Sequence, residues 1–162
     1  MTLKTRDEGG PALVFQLLEV PAVDLTGAKM QAALEGEDLR PLADRSAEFT
    51  TAIRLYLSDP QQAMLPLASP GHADDLSGLP PAQILTAELD PLRDEGEDYA
   101  RRLTAAGVPA AVKRWPGAIH ATPFLTRAWP SAQAWQHAAA VTIRDAHQQA
   151  ARHPTREFRH SW

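Results

Sequence analysis

The sequence predicts an α/β fold with about three parallel strands, flanking helices and a helical insertion. Three observations predict it. Apolar runs of strand length stand at residues 12–20, 82–89 and 109–117. Helical stretches separate them, and a long helical pattern closes the chain. Strands that alternate with helices pair in parallel through right-handed crossovers.

Taken in order, "MTLKTRDE" (1–8) reads as the end of a helix, closed by Gly9, Gly10 and Pro11. "ALVFQLLEV" (12–20) is a nearly continuous apolar run, the pattern of a strand buried on both faces of a parallel sheet. "PAVDLTG" supplies turn residues after it. Residues 27–45 carry weak signals of loop and short helix. "SAEFTTAIRLYL" (46–57) reads as a helix, with Ser46 as N-cap and Phe49, Ala52, Ile53, Tyr56 and Leu57 on one apolar face. A long connection containing Pro60, Pro66, Pro70, Pro80 and Pro81 follows; a connection of that length is usually functional or wraps a neighbour.

"AQILTAEL" (82–89) is the second strand. In "LRDEGEDYARRLTAAG" (92–107), Pro91 lies near the first turn, Asp94, Glu95 and Glu97 suit the positive end, and Gly107 stops the helix. "PAAVKRWPG" (109–117) is the third strand, expected to end at Pro116 and Gly117. The final helix covers 131–153, with Trp135, Ala138, Ala139 and Ile143 on or near one face. Residues 1–150 are thus expected to form one domain. Residues 151–162, with Arg152, Arg156 and Arg159, read as a solvated, frayed basic tail.

The chain has 162 residues, a length suited to one domain. Its formal net charge of −4 gives no footprint for nucleic acid. There are no cysteines, which excludes disulfides, thiolate chemistry and cysteine-held zinc and suits a reducing compartment. No apolar stretch approaches the roughly 18 residues of a membrane span. "MTLKTRDEGG" lacks the apolar core of a signal peptide, so a cytoplasmic protein is expected. His72, His137, His147, His153 and His160 show no metal spacing, and no metal or cofactor is expected.

Two residues carry candidate chemistry. Asp90 follows the second strand, and His120 lies in the loop past the third. Ligand sites of open α/β sheets gather at the carboxyl ends of strands. Neighbouring strands lie about 4.8 Å apart, so these tips can join a carboxylate to an imidazole. Such a carboxylate fixes the imidazole tautomer, and the second ring nitrogen then accepts a proton from a nucleophile. Each residue also has a plainer reading. Asp before Pro is a favoured helix cap, and a turn histidine often bonds only to backbone.

"DLSGLPPAQILTAELDPLRDEGEDYARRLTAAGVPAAVKRWPGAIH" resembles the C-terminal part of the hormone-sensitive-lipase family of α/β-hydrolases, which are carboxylic ester hydrolases. The likeness runs from "GGPALVFQLLEVPAVDLT" to the last helix and is most specific at "DPLRDEG" and the following histidine. The resemblance implies a partial α/β-hydrolase fold holding the last strands of the sheet. It implies Asp90 as the triad acid and His120 as the base, acting on a small ester without a cofactor. It also implies an upstream nucleophile elbow, G-x-S-x-G, and an oxyanion motif. Neither is in the sequence: Ser46, Ser58, Ser69, Ser77, Ser131 and Ser161 all lie outside such a context. The chain therefore reads as the C-terminal half of such an enzyme. Relatives commonly place Gly-Phe after the histidine, where this chain has Ala121 and Thr122, a change expected to alter the packing of that loop.

The remaining candidates are weighed as structural. Asp24 reads as a turn residue. Asp94 reads as a helix-dipole partner or support for the acid. Trp115, Trp129 and Trp135 read as core or interface anchors. Phe49, Tyr56 and Met64 fall, by resemblance, near an acyl pocket, with core packing preferred. Two functions follow. One is ester hydrolysis by a parent enzyme to which this chain gives Asp90 and His120. The other is a non-catalytic remnant that docks, through an open sheet edge, on the N-terminal half or on a second copy. By resemblance, an exposed Trp115 on the third strand would serve a homodimer.

Overall fold

The structure, a computed structural model, describes residues 1–36, 39–40, 42 and 46–152. Helix α1 (Thr2–Asp7) leads through Gly9 to strand β1 (Gln16–Glu19). Helices α2 (Ala28–Glu35) and α3 (Ser46–Tyr56) form the insertion, followed by short 3-10 turns at Pro60–Met64 and Pro70–His72. Strand β2 (Ala82–Leu89), helix α4 (Arg93–Ala105), strand β3 (Ala110–Ile119), a 3-10 turn at Thr122–Phe124 and helix α5 (Pro130–Arg152) complete the order.

The three strands form one parallel sheet in the order β1-β2-β3. Gln16 pairs with Ala82, and Ala82 with Ala110, so all three strands start level. Alternation along β2 splits the core in two. Ile84 faces Leu3 of α1 and Tyr99 and Leu103 of α4, while Leu85 and Ala87 face Trp135 and Ala139 of α5. Helices thus cover both faces of the sheet, as parallel strands require. Gly96 lets α4 lie close on β2, because a β-carbon there would meet Thr86 Cγ2 at 3.2 Å and Pro21 Cγ at 3.3 Å. Arg6 fastens α1 to the loop before β2, donating to the carbonyls of Asp75 at 3.1 Å and Ser77 at 2.8 Å.

Several boundaries differ from the sequence reading. β1 is four residues, Gln16–Glu19, where the apolar run suggested nine. Its described neighbour explains this: β2 begins at Ala82, and Pro80 and Pro81 before it have no N–H to extend a ladder. Leu13 and Val14 are accordingly 41% and 39% exposed. β3 does not stop at Pro116 but runs through it to Ile119. Trp115 pairs with Ala87 and Ile119 with Leu89, so residues 116–118 face Glu88 alone. This is a bulge, and Gly117 takes the positive φ of +64° it needs, its N–H donating to Glu88 Oε2 at 2.7 Å. β3 borders the sheet, where the missing N–H of Pro116 is tolerated.

The apolar stripe of α3 reaches the core only at Phe49, which packs on Met30, Leu34 and Leu92. Leu55 and Tyr56 are 83% and 73% exposed, and Phe49, Ile53 and Leu57 are half-buried along grooves. Along α5, Ala132, Trp135 and Ala139 are buried, but Ile143 is exposed. Trp115 is half-buried and stacked on Trp135 at 5.3 Å, so it is not the exposed dimer anchor expected from sequence. The Trp135 indole N–H donates to Glu19 at 2.6 Å, which ties α5 to β1. Of the expected basic tail, Ala151 and Arg152 close α5, and residues 153–162 lie outside the described residues.

Candidate active site

The two strand tips meet. Asp90, the residue after β2, is fully buried, and His120, the residue after β3, has a side chain 40% exposed. His120 Nδ1 lies 3.0 Å from Asp90 Oδ2. The other carboxylate oxygen, Oδ1, accepts the Leu92 N–H at 2.9 Å. One carboxylate therefore holds a backbone turn and an imidazole at once. The helix cap expected of Asp90 is displaced by this arrangement: α4 starts at Arg93, with Leu92 at its N-cap position and no side chain capping it. Asp90 instead fixes the turn that leads into α4.

A neutral imidazole with Nδ1 facing a carboxylate carries its proton there, leaving Nε2 as the acceptor. Phe49, from α3, packs edge-on against the His120 ring at 5.4 Å and 87°. Two hollows meet at this pair. A groove of about 450 Å³ runs from His120 past Phe49, Met30, Ile53 and Tyr56. A smaller pocket of about 150 Å³ lies on the other side, between Phe49, Leu89, Pro91 and Ile119. A larger cavity, about 640 Å³, lies farther out, between α2, α3 and the 3-10 turn at Pro60–Met64, and does not touch His120. Phe49 and Tyr56 thus line the groove at the histidine, and Met64 lines the outer cavity; Phe49 also packs, as expected, on the buried residues Met30, Leu34 and Leu92, while Tyr56 and Met64 are exposed.

A second acid–histidine pair lies behind the groove. His72 Nε2 is 2.9 Å from Asp24 Oδ1, which also accepts from the Thr26 N–H at 3.0 Å and the Thr26 hydroxyl at 2.6 Å. Burial pushes the Asp24 carboxyl up, but the hydrogen bonds from Thr26 and His72 outweigh it and hold the group below its usual range. Asp24 is thus the turn residue expected, with a histidine partner that sequence does not reveal, since His72 is 48 residues away.

Glu95 is the other residue missed. Read as a helix-dipole partner, it is in fact buried beneath α4, where the Asp24 backbone is its one hydrogen-bonding neighbour and only weakly offsets the burial. Burial first, then the nearby charges of Asp24 and Asp90, push its carboxyl to about 8, against the opposing pull of Lys29. It is therefore protonated at neutral pH. Helical spacing held the signal: Leu92, Glu95, Gly96, Tyr99 and Leu103 share the buried face of α4. Asp94, by contrast, faces outward and pairs with Arg114 at 3.1 Å. Among the described residues no group of His, Asp and Glu is placed to hold a metal ion, and no helix is long and apolar enough to cross a membrane.

Comparison with known proteins bears on this pair. A family model described as alpha/beta hydrolase fold matches residues 1–124. Carboxylesterase NlhH of Mycobacterium tuberculosis is 44% identical over 123 residues, covering 74% of this chain and 38% of that protein. An arylesterase of Saccharolobus solfataricus is 40% identical over 111 residues, 67% of this chain and 35% of its own length. Among solved structures, a hyperthermophilic esterase from the archaeon Pyrobaculum calidifontis superposes with a TM-score of 0.75 at 39% identity, over 90% of this chain and 48% of the other. The chain spans less than half the length of these relatives.

Proposed function

This chain belongs to the alpha/beta hydrolase fold family, and on that footing we propose that it serves the hydrolysis of small carboxylic esters by contributing the acid and base of a serine-dependent triad. The observation that carries the reading is the 3.0 Å approach of His120 Nδ1 to Asp90 Oδ2 at adjacent strand tips. The names of the relatives, a carboxylesterase, an arylesterase and an esterase, support the substrate class.

In this mechanism Asp90 holds the proton on Nδ1, and His120 Nε2 takes the proton of a serine hydroxyl as its oxygen attacks the ester carbonyl. The same proton passes from Nε2 to the departing alkoxide, leaving an acyl-enzyme. Water, deprotonated by Nε2, then attacks the acyl carbonyl, and the proton returns from Nε2 to the serine oxygen as the acid leaves. Asp90 stays ionised throughout and stabilises the imidazolium. The serine comes from an elbow-bearing segment, since this sequence contains no G-x-S-x-G. The groove past Phe49 and Ile53 receives the apolar part of the ester. The reading places the activity in the cytoplasm and calls for no cofactor.

The test is hydrolysis of p-nitrophenyl acetate and butyrate by this chain alone and with the N-terminal half of a relative added. Activity that appears on mixing and disappears with His120→Ala supports the proposal. Activity of the chain alone, retained in His120→Ala, overturns it.

A second reading, a non-catalytic chain that associates through its sheet edge, is favoured by one observation. The outer edge of β1 has no strand partner among the described residues, and Leu13 and Val14 beside it are exposed. Its partner would be the N-terminal half or a second copy. No activity on mixing, together with stable association, supports this reading.

A further inference from the structure

We propose that Thr122 is a positioning residue for His120: its hydroxyl closes the backbone loop that carries the imidazole and so sets the ring against Asp90. The proposal rests on the reading of Asp90 and His120 as acid and base. Thr122 is fully buried, and its Oγ1 accepts the N–H of Ile119, the last residue of β3, at 2.9 Å. The loop so closed contains only His120 and Ala121 between its two ends. The carbonyls of Ala121 and Thr122 accept the N–H groups of Phe124 and Leu125, each at 3.0 Å, forming the short turn that follows. Gln136 of α5 anchors that turn through the Pro123 carbonyl at 3.1 Å.

These contacts divide the work of placing His120. The imidazole stands partly exposed in a groove wall, touched by Asp90 on one nitrogen and by the edge of Phe49. Neither contact fixes where the His120 Cα lies, so the direction of the ring must come from its backbone. Upstream, the bulge at Gly117 is held by Glu88. Downstream, the Thr122 hydroxyl ties the loop back to the end of β3. A threonine side chain is stiff at χ1, so a buried hydroxyl on it makes a firm clip. It stands where the resemblance leads one to expect phenylalanine, so this chain closes its histidine loop with a side-chain hydrogen bond of its own.

The test reads the imidazole directly, in the full 162-residue chain. Long-range proton–nitrogen NMR spectra of neutral His120 distinguish the Nδ1–H from the Nε2–H tautomer. Wild type is expected in the Nδ1–H form. Thr122→Val, which keeps the shape and removes the hydroxyl, is expected to lower the ratio of the two tautomers severalfold, and Thr122→Ser to restore it. A folded Thr122→Val with the wild-type ratio overturns the proposal, because a merely structural threonine would change stability and leave the tautomer alone. Should the valine variant not fold, wild-type hydrogen exchange decides. The Ile119 amide is expected to exchange at least tenfold more slowly than the Ala121 amide, and equal rates overturn the clip. Asp90→Asn is the separate arm. If it leaves the tautomer unchanged, the Asp90–His120 reading fails and the proposal with it. If it alters the tautomer while Thr122→Val does not, only the role of Thr122 fails.

Discussion

Glu95 shows what a single buried carboxyl does to the molecule. Its proton is held to about pH 8, against an ordinary value of 4.5, because burial and the charges of Asp24 and Asp90 disfavour ionisation. Between those values the unfolded chain has lost the proton and the folded chain has kept it. Stability contributed by this group is therefore full below about 4.5 and falls as pH rises towards 8. Glu95→Gln is expected to flatten that fall, narrowing the stability difference between pH 5 and pH 8 by at most roughly 4 kcal/mol. Urea unfolding of both proteins at the two pH values measures it, and parallel curves would speak against a buried proton. If Asp90 and His120 act as proposed, Asp90→Asn in the reconstituted assay is expected to lower kcat by about 10⁴-fold, through loss of the correct tautomer. The nearness of Asp90 and His120 was legible in the sequence because each directly follows an apolar run, and adjacent parallel strands bring their ends together. The pairing of His72 with Asp24 was not, because nothing local marks residues so far apart. Glu95 was misjudged for another reason: charge suggested the helix end, while its place on the apolar face of α4 decided burial.

At the scale of elements, hydrophobic pattern located β2 to the residue and α1, α3, α4 and α5 to within a turn, while α2 fell in a stretch of weak signals. It failed where partners rather than composition set the limits. β1 is as long as its ladder with β2 allows, so four apolar-run residues before Gln16 remain outside the sheet. Pro116 and Gly117 look like a terminator in isolation, yet on a border strand they make a bulge that carries β3 on to the histidine. α3 has an amphipathic sequence, but most of its apolar side walls grooves, and only Phe49 packs on the core. α4 lies close against β2 at Gly96. Gly96→Ala is expected to destabilise the fold by about 1–3 kcal/mol, because a β-carbon there must displace Thr86 or Pro21. Thermal unfolding tests this; an unchanged or raised midpoint would mean that α4 shifts to make room.

For the whole molecule, the alternation of strands and helices was enough to give a parallel sheet covered on both faces, since few other arrangements bury such strands. What pattern alone could not give is how the sheet meets its surroundings. β1 and β3 both border it, and the apolar side chains of Leu13 and Val14 stand beside the bare edge of β1. At micromolar concentration the purified chain is expected to scatter light as a species at least twice its 17.7 kDa mass. A monodisperse single chain would contradict this. Finally, the ring of Phe49 forms a shared partition between the groove of about 450 Å³ and the pocket of about 150 Å³. Any swing of that ring enlarges one chamber only by shrinking its neighbour. What fills one chamber therefore limits what the other can hold, and one aromatic side chain stands between them.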